Sequence, residues 1–380
     1  MKLIKNGLVY TVAKKEPEYL DILIDGAKIV KVEKDIVVSE DVEVIDARGY
    51  RIYPGFVEAH CHLGMQESAI GFEGQDSNEI TDPITPQLRG IDGINPMDET
   101  FLEAARAGVT CVATGPGSAN VIGGLFSVIK TAGHRIDDMI VLEKAAMKCA
   151  FGENPKRVYR DKGNYSRMST AAKLRETLLK TIDYDQRKQL AKGDPAKMPA
   201  WDMKLEAMLP VIHKEIPLKA HAHQANDIFT AIRIAREFDL KMTLEHVTDG
   251  ALIIDELVHE NIPLAIGPSF HARSKFECKN LSFDCPVALS KAGLPISLIT
   301  DSPVVPLHYL PMCAGLAIQH GMDEAKALEA ITINPARLLG VDDRVGTIEL
   351  GKDADLVMTT TDPFDILESV TRVFINGIEI

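Results

Sequence analysis

The chain has 380 residues, of which 46% are hydrophobic and 26% charged, and its formal net charge is -13. That composition suits a soluble globular protein large enough to bury a sizeable core without disulfide staples. The acidic balance argues against a nucleic-acid footprint and against an anionic membrane, so a small molecule is the expected partner, and a homo-oligomer is compatible with it.

In chain order, residues 1–53 read as β structure. Asn6-Gly7 and Asp25-Gly26 each stand between runs of strand formers, a strong hairpin signal. The far end, Val373 to Ile380, has the same grammar around Asn376-Gly377. A small β-sandwich assembled from both termini, residues 1–53 and 345–380, is expected. Residues 54–344 alternate short apolar strands with amphipathic helices at about 98–107, 225–238, 251–260 and 284–292, the pattern of an α/β (β/α)8 TIM barrel. Strands are expected to end near His60, Thr114, Lys130, Phe151, His221, His246, Gly267 and Asp301. An insertion at about 154–214 has the length of a lid or binding loop.

Cys61, Cys111, Cys149, Cys278, Cys285 and Cys313 form no CxxC pair and lie in apolar segments, as free thiols of a reducing compartment do. The first residues lack the continuous apolar stretch of a signal peptide, and no window approaches the ~20 apolar residues of a membrane span. A cytoplasmic location is expected.

Several of these strands run into metal-competent side chains. Phe56–Ala59 leads into His60-Cys61-His62, Leu218–Ala220 into His221-Ala222-His223, Met242–Glu245 into His246, and Ile296–Thr300 into Asp301. In a barrel these ends share one face, the face that carries chemistry. His60 and His62, two apart on a strand, point to the same side and can grip one ion. Imidazole and carboxylate ligands suit zinc, with iron or manganese also acceptable. Packed core histidines, and a helix cap at Asp301, are the plainer readings.

Pro54-Gly55-Phe56-Val57-Glu58-Ala59-His60-Cys61-His62 resembles the first-strand signature of the amidohydrolase superfamily. Asn334-Pro335-Ala336-Arg337 and Gly346–Val357 are similar to that family's C-terminal segment, with the imidazolonepropionase-like and dipeptidase-like branch the nearest in pattern. The resemblance implies ligands at His60, His62, His221, His246 and Asp301 for one or two divalent ions, with Asp301 also moving the proton. At the fourth strand many members carry a carboxylated lysine. Here Lys148 lies several residues before the strand end, and Glu153 is preferred to it as the ligand.

Expected substrate contacts are Ser118 and Asn120 in the glycine-rich stretch after the second strand, His223 after the fifth, and His271 and Arg273 after the seventh. The expected function is hydrolysis of a C–N bond in an amide, cyclic amide or peptide-like small substrate by a metal-activated hydroxide. A deaminase of heterocycles on the same scaffold and a non-catalytic scaffold relative are the alternatives. The filled ligand positions weigh against the scaffold.

Overall fold

The computed structural model describes residues 1–68, 71–365 and 370–380. Among the described residues, sixteen strands fall into two sheets. The first five are β1 (Lys2–Val9), β2 (Glu18–Asp25), β3 (Lys28–Glu33), β4 (Glu43–Asp46) and β5 (Arg51–Pro54). The next eight are β6 (Phe56–Cys61), β7 (Val109–Thr114), β8 (Ile122–Lys130), β9 (Ile140–Ala150), β10 (Leu218–Ala222), β11 (Met242–His246), β12 (Leu264–Ile266) and β13 (Ile296–Leu298). The chain ends with β14 (Leu356–Thr359), β15 (Arg372–Ile375) and β16 (Ile378–Glu379).

Both chain ends build one sheet, in the order β16-β15-β14-β5-β1-β2-β3, with β4 also against β1. The seam is an antiparallel pairing of β14 with β5, Leu356 opposite Pro54. Alternate apolar residues, among them Ile4, Ile22, Ile52, Leu356 and Phe374, point inward to a shared core. Asp25-Gly26 and Asn376-Gly377 turn hairpins as their sequences suggest. Asn6-Gly7 does not: β1 runs straight through it, and the left-handed Asn6 (φ 66°) is absorbed as a bulge against β2. Gly7 is required there because a Cβ would sit 2.3 Å from Ile52 Cδ1.

The second sheet runs in sequence order from β6 to β13. Its edge strands are stitched together: Thr300, after β13, donates through N–H and Oγ1 to Glu58 on β6, at 2.8 and 2.7 Å. The N–H of His62 donates to the carbonyl of Ser302 at 2.8 Å. The result is the expected α/β barrel, with seven strands parallel and one reversed. β8 is antiparallel to both β7 and β9. The turn 115–121 sends it back down the barrel, so its last residue, Lys130, leaves the mouth for the opposite face. There it is buried between Asp353 and Asp355, at 2.9 and 2.6 Å, and Lys28 and Arg344 also pair with Asp353.

Helices lie where apolar spacing and caps put them. Glu99–Arg106 starts on Asp98, which accepts from Thr100 N–H, and buries Phe101, Ala104 and Ala105. The 154–214 segment is mostly helical: Glu153–Val158, Arg167–Ala191 with a Ser166/Ser169 capping box, and Met203–Ile212. Arg167 clamps it to the barrel by donating to Asp227 at 2.8 Å. Among the described residues no helix is long and apolar enough to cross a membrane.

Candidate metal centre

The first corner is held from behind. The Nδ1 atom of His60 lies 2.9 Å from Glu245 Oε2, and the same carboxylate takes Lys219 Nζ at 2.8 Å and Thr243 Oγ1 at 2.6 Å. His62 Nδ1 lies 2.7 Å from the carbonyl oxygen of Gly115. A carbonyl only accepts, so this Nδ1 carries the proton and Nε2 is the atom turned toward Asp301. His60 Nε2 and His62 Nε2 face Asp301 Oδ1 at 3.6 and 3.2 Å. Ligating imidazoles are commonly held by such carboxylate and carbonyl partners.

The second corner repeats the device. His246 Nδ1 donates to the carbonyl of Gly267 at 2.7 Å, and His223 Nδ1 lies 2.7 Å from Thr248 Oγ1. His246 Nε2 and both ring nitrogens of His221 are buried with no hydrogen-bond partner among the described residues. Each set, His60/His62/Asp301 and His221/His223/His246, brings its donor atoms within 4.8 Å of one another. Buried polar atoms normally find partners, so unpartnered imidazole nitrogens grouped this closely fit a cation site. The imidazole and carboxylate donors fit a divalent metal such as zinc.

Backbone geometry helps both corners. β11 ends in a left-handed His246 (φ 75°) and Val247 (φ 48°), and Asp301 is left-handed as well (φ 51°). The break lets the consecutive Glu245 and His246 both serve the mouth, one gripping His60 and the other joining His221. Such strained conformations persist where the surrounding structure enforces them.

Lys148 reaches the mouth. Its Cα is paired across from Lys219 well inside the sheet, but the four-carbon stem carries Nζ to 3.0 Å from His60 Nε2. Burial pushes its ammonium down to about 8, against the opposing pull of Asp301 and Glu245. Burial, then the Lys148 and Lys219 charges, holds His60 well below its ordinary value, and burial with His221 beside it takes His223 down to about 3. His60 and His223 are thereby held as neutral imidazoles. Burial alone would raise the Asp301 carboxyl; the hydrogen bond and charge of His62 more than reverse it, keeping Asp301 ionised.

Other expected contacts lie elsewhere. Glu153 is in neither donor set: it opens a helix, and its carboxylate and backbone N–H exchange hydrogen bonds with Glu277, at 3.4 and 2.9 Å. Asn120 is buried and donates to the carbonyls of Glu79 and Asp82 and to Thr85 Oγ1. Ser118 accepts from Asn154 at 2.9 Å, and Arg273 donates to the Leu281 carbonyl. His271 is half-buried, and the opposing fields of Lys275 and Asp301 act on it.

Sequence reasoning passed over Glu58, Lys219, Glu245 and Glu277. The first three had a signal: charged residues inside otherwise apolar strands, each next to or two residues from a strand-end histidine. Glu277 had none, since it sits on a single 3-10 turn, Phe276–Cys278, outside any strand.

The family model described as the amidohydrolase family matches residues 51–379. The chain belongs to that family. A solved amidohydrolase from Thermotoga maritima MSB8 is 40% identical, with a TM-score of 0.96, over 100% of this chain and 99% of that one. The amidohydrolase tasK of Hapsidospora irregularis is 28% identical over 94% of this chain and 39% of its own length. A dihydroorotase of Clostridium acetobutylicum is 44% identical over 63 residues, 17% of this chain and 15% of that enzyme. This amidohydrolase thus spans well under half the length of the curated relatives it matches.

Proposed function

We propose that this amidohydrolase is a metal-dependent hydrolase that cleaves a C–N bond in an amide, cyclic amide or peptide-like small molecule. The observation that supports this most is the convergence of His60, His62 and Asp301, with the far sides of both imidazoles already committed to Glu245 and Gly115. Zinc is the metal we favour, held by His60, His62 and Asp301 at one corner and by His221 and His246 at the other. Lys148 takes the place expected of Glu153, as the free amine or in the carboxylated form the family resemblance implies. A bound divalent ion there polarises a carbonyl and lowers the pKa of water toward about 7.

The chain's own groups do the rest. Asp301, ionised and 17% exposed on its side chain, takes the proton of the attacking water and returns it to the leaving nitrogen. The Lys219–Glu245 pair fixes the His60 ring, so the donor atoms need little reorganisation. Of the expected substrate contacts His271 keeps that role; Ser118, Asn120 and Arg273 are engaged elsewhere. We further propose residues 1–53 and 345–380 as one unit and 54–344 as the barrel. Six buried free cysteines support a reducing, cytoplasmic setting. The net charge supports a small-molecule substrate rather than nucleic acid or an anionic membrane, and self-association is proposed as compatible with it.

The test is elemental analysis of the purified protein, followed by a screen of N-acyl amino acids, dipeptides, cyclic ureides and aminoheterocycles. Hydrolysis of an amide-type substrate that is lost on chelation and restored by zinc is expected. Ammonia release from aminoheterocycles alone would move the reading to a deaminase, and a folded protein that takes up no divalent metal would sink it.

A further inference from the structure

The helix Arg167–Ala191, 25 residues long, turns Leu174, Thr177, Leu178, Thr181 and Tyr184 inward. Its opposite side carries Met168, Leu179 and Leu190, which are 80%, 58% and 77% exposed. Single apolar residues scattered over a surface are ordinary, but these three are spaced eleven apart. Eleven residues bring an α-helix to within about 20° of whole turns, so the three line up along the middle of the solvent face over about 33 Å.

The stripe is symmetric about Leu179. Met168 and Leu190 lie eleven residues on either side of it, Ala172 and Gln186 seven, and Arg175 and Asp183 four, all on the same exposed or half-buried face. A second copy of the helix, turned end for end, therefore meets the first with Leu179 against Leu179 and Met168 against Leu190. The small Ala172 falls against Gln186, and Arg175 against Asp183. No like charges stand directly opposite on this seam. A two-fold contact between identical chains requires such self-complementarity, since each residue meets its counterpart's partner twice. Arg175 and Asp183 keep partners in their own chain, Glu237 and Arg187, both at 2.8 Å. Exposed ion pairs add little energy, so this pair sets the register while the apolar residues supply the attraction.

We propose that this face is an interface between two copies of the chain, with the helices Arg167–Ala191 packed antiparallel about a two-fold axis through Leu179. The proposal gives self-association a definite surface. It uses no residue of the barrel strand ends, so its failure leaves the proposed hydrolysis untouched.

The experiment is sedimentation velocity of the full chain over a concentration series, with cross-linking of introduced cysteines to fix the register. Wild type is expected to form a dimer. Leu179→Lys, which sets two ammonium groups together on the axis, is expected to weaken that dimer at least about tenfold with circular dichroism unchanged. Arg175→Asp and Asp183→Arg each place like charges opposite one another and are expected to dimerise less. Mixed one to one, they restore both oppositions and are expected to recover the dimer as a heterodimer. The six native cysteines are buried, so an introduced surface thiol is the one that reacts. Leu179→Cys is expected to cross-link to its own copy, and Met168→Cys only when mixed with Leu190→Cys. A wild type that stays monomeric overturns the proposal and leaves the face to a different protein. A dimer that Leu179→Lys does not weaken, or in which Leu179→Cys does not cross-link, also overturns it, because that dimer assembles through another surface.

Discussion

At the scale of single residues, the site depends on side chains that are held before anything binds. His62 cannot rotate without giving up the Gly115 carbonyl, and His246 cannot without giving up that of Gly267. Asp301 is the one group at the first corner that is both ionised and partly open to solvent. Asp301→Asn keeps the shape but removes the proposed proton acceptor, so kcat/KM on an amide substrate is expected to fall about 10^2–10^4-fold, measured by steady-state kinetics with folding checked by circular dichroism. A fall of less than tenfold would contradict the role given to Asp301. The histidines and Asp301 were legible because each terminates an apolar strand. Lys148 was placed second to Glu153 because a side chain set back from the strand end was judged too short to reach the mouth, whereas its Nζ lies 3.0 Å from His60 Nε2.

At the scale of elements, the glycine-rich turn 115–121 reverses β8 and anchors the long loop after β6. Asn120 is the knot, with its amide spent on Glu79, Asp82 and Thr85. Asn78 reinforces it by accepting from the N–H of Ala119 at 2.9 Å. Asn120→Ala removes the donor from the Asp82 carbonyl and one of two from that of Glu79, which keeps the Tyr159 hydroxyl, a local cost of about 1–3 kcal/mol. Amides of residues 79–85 are then expected to exchange faster by a comparable free energy in hydrogen-exchange mass spectrometry. Unchanged protection there would show that the loop is held by other contacts. The reversal of β8 was not legible: an apolar strand reads alike in both directions, and only pairing with β7 and β9 sets its sense.

At the scale of the molecule, Lys130, Asp353 and Asp355 join the base of the barrel to the terminal sheet. Lys130→Met leaves Asp355 buried without its cation and Asp353 with only Lys28 and Arg344, and a loss of about 3–5 kcal/mol is expected in urea unfolding at pH 7. A change below 1 kcal/mol would mean that Lys28 and Arg344 suffice. The same cluster sets the pH dependence. Burial works against both charges, but the ion pairs win, so Asp353 is lowered and Lys130 raised in the fold. The Asp353 contribution is present above the unfolded value of about 3.9 and is lost as pH falls through the lower folded value. That of Lys130 is present below the unfolded value of about 10.4 and is lost as pH rises through the folded one. Unfolding free energies measured from pH 2 to 11 are expected to fall at both ends, the acid fall beginning near the unfolded histidine value of about 6.5 because His60 and His223 are held neutral in the fold, with a smaller further fall below about pH 4 in Lys130→Met. An acid fall as large in that variant would assign it to other carboxylates.

The sequence by itself determined the barrel, the paired terminal β segments and the strand-end donors, because alternation, apolar runs and residues such as His60-Cys61-His62 are local patterns with a local cause. The tertiary structure alone decided which groups stand behind those donors and which join them. Glu245, held by Lys219 of the adjacent strand, reaches His60 from β11 on another side of the barrel, Lys148 reaches it from the interior of β9, and Glu277 approaches His221 from a segment more than fifty residues on. Contacts between residues distant in sequence depend on register, strand direction and side-chain length together, and none of these is written in any one stretch of the chain.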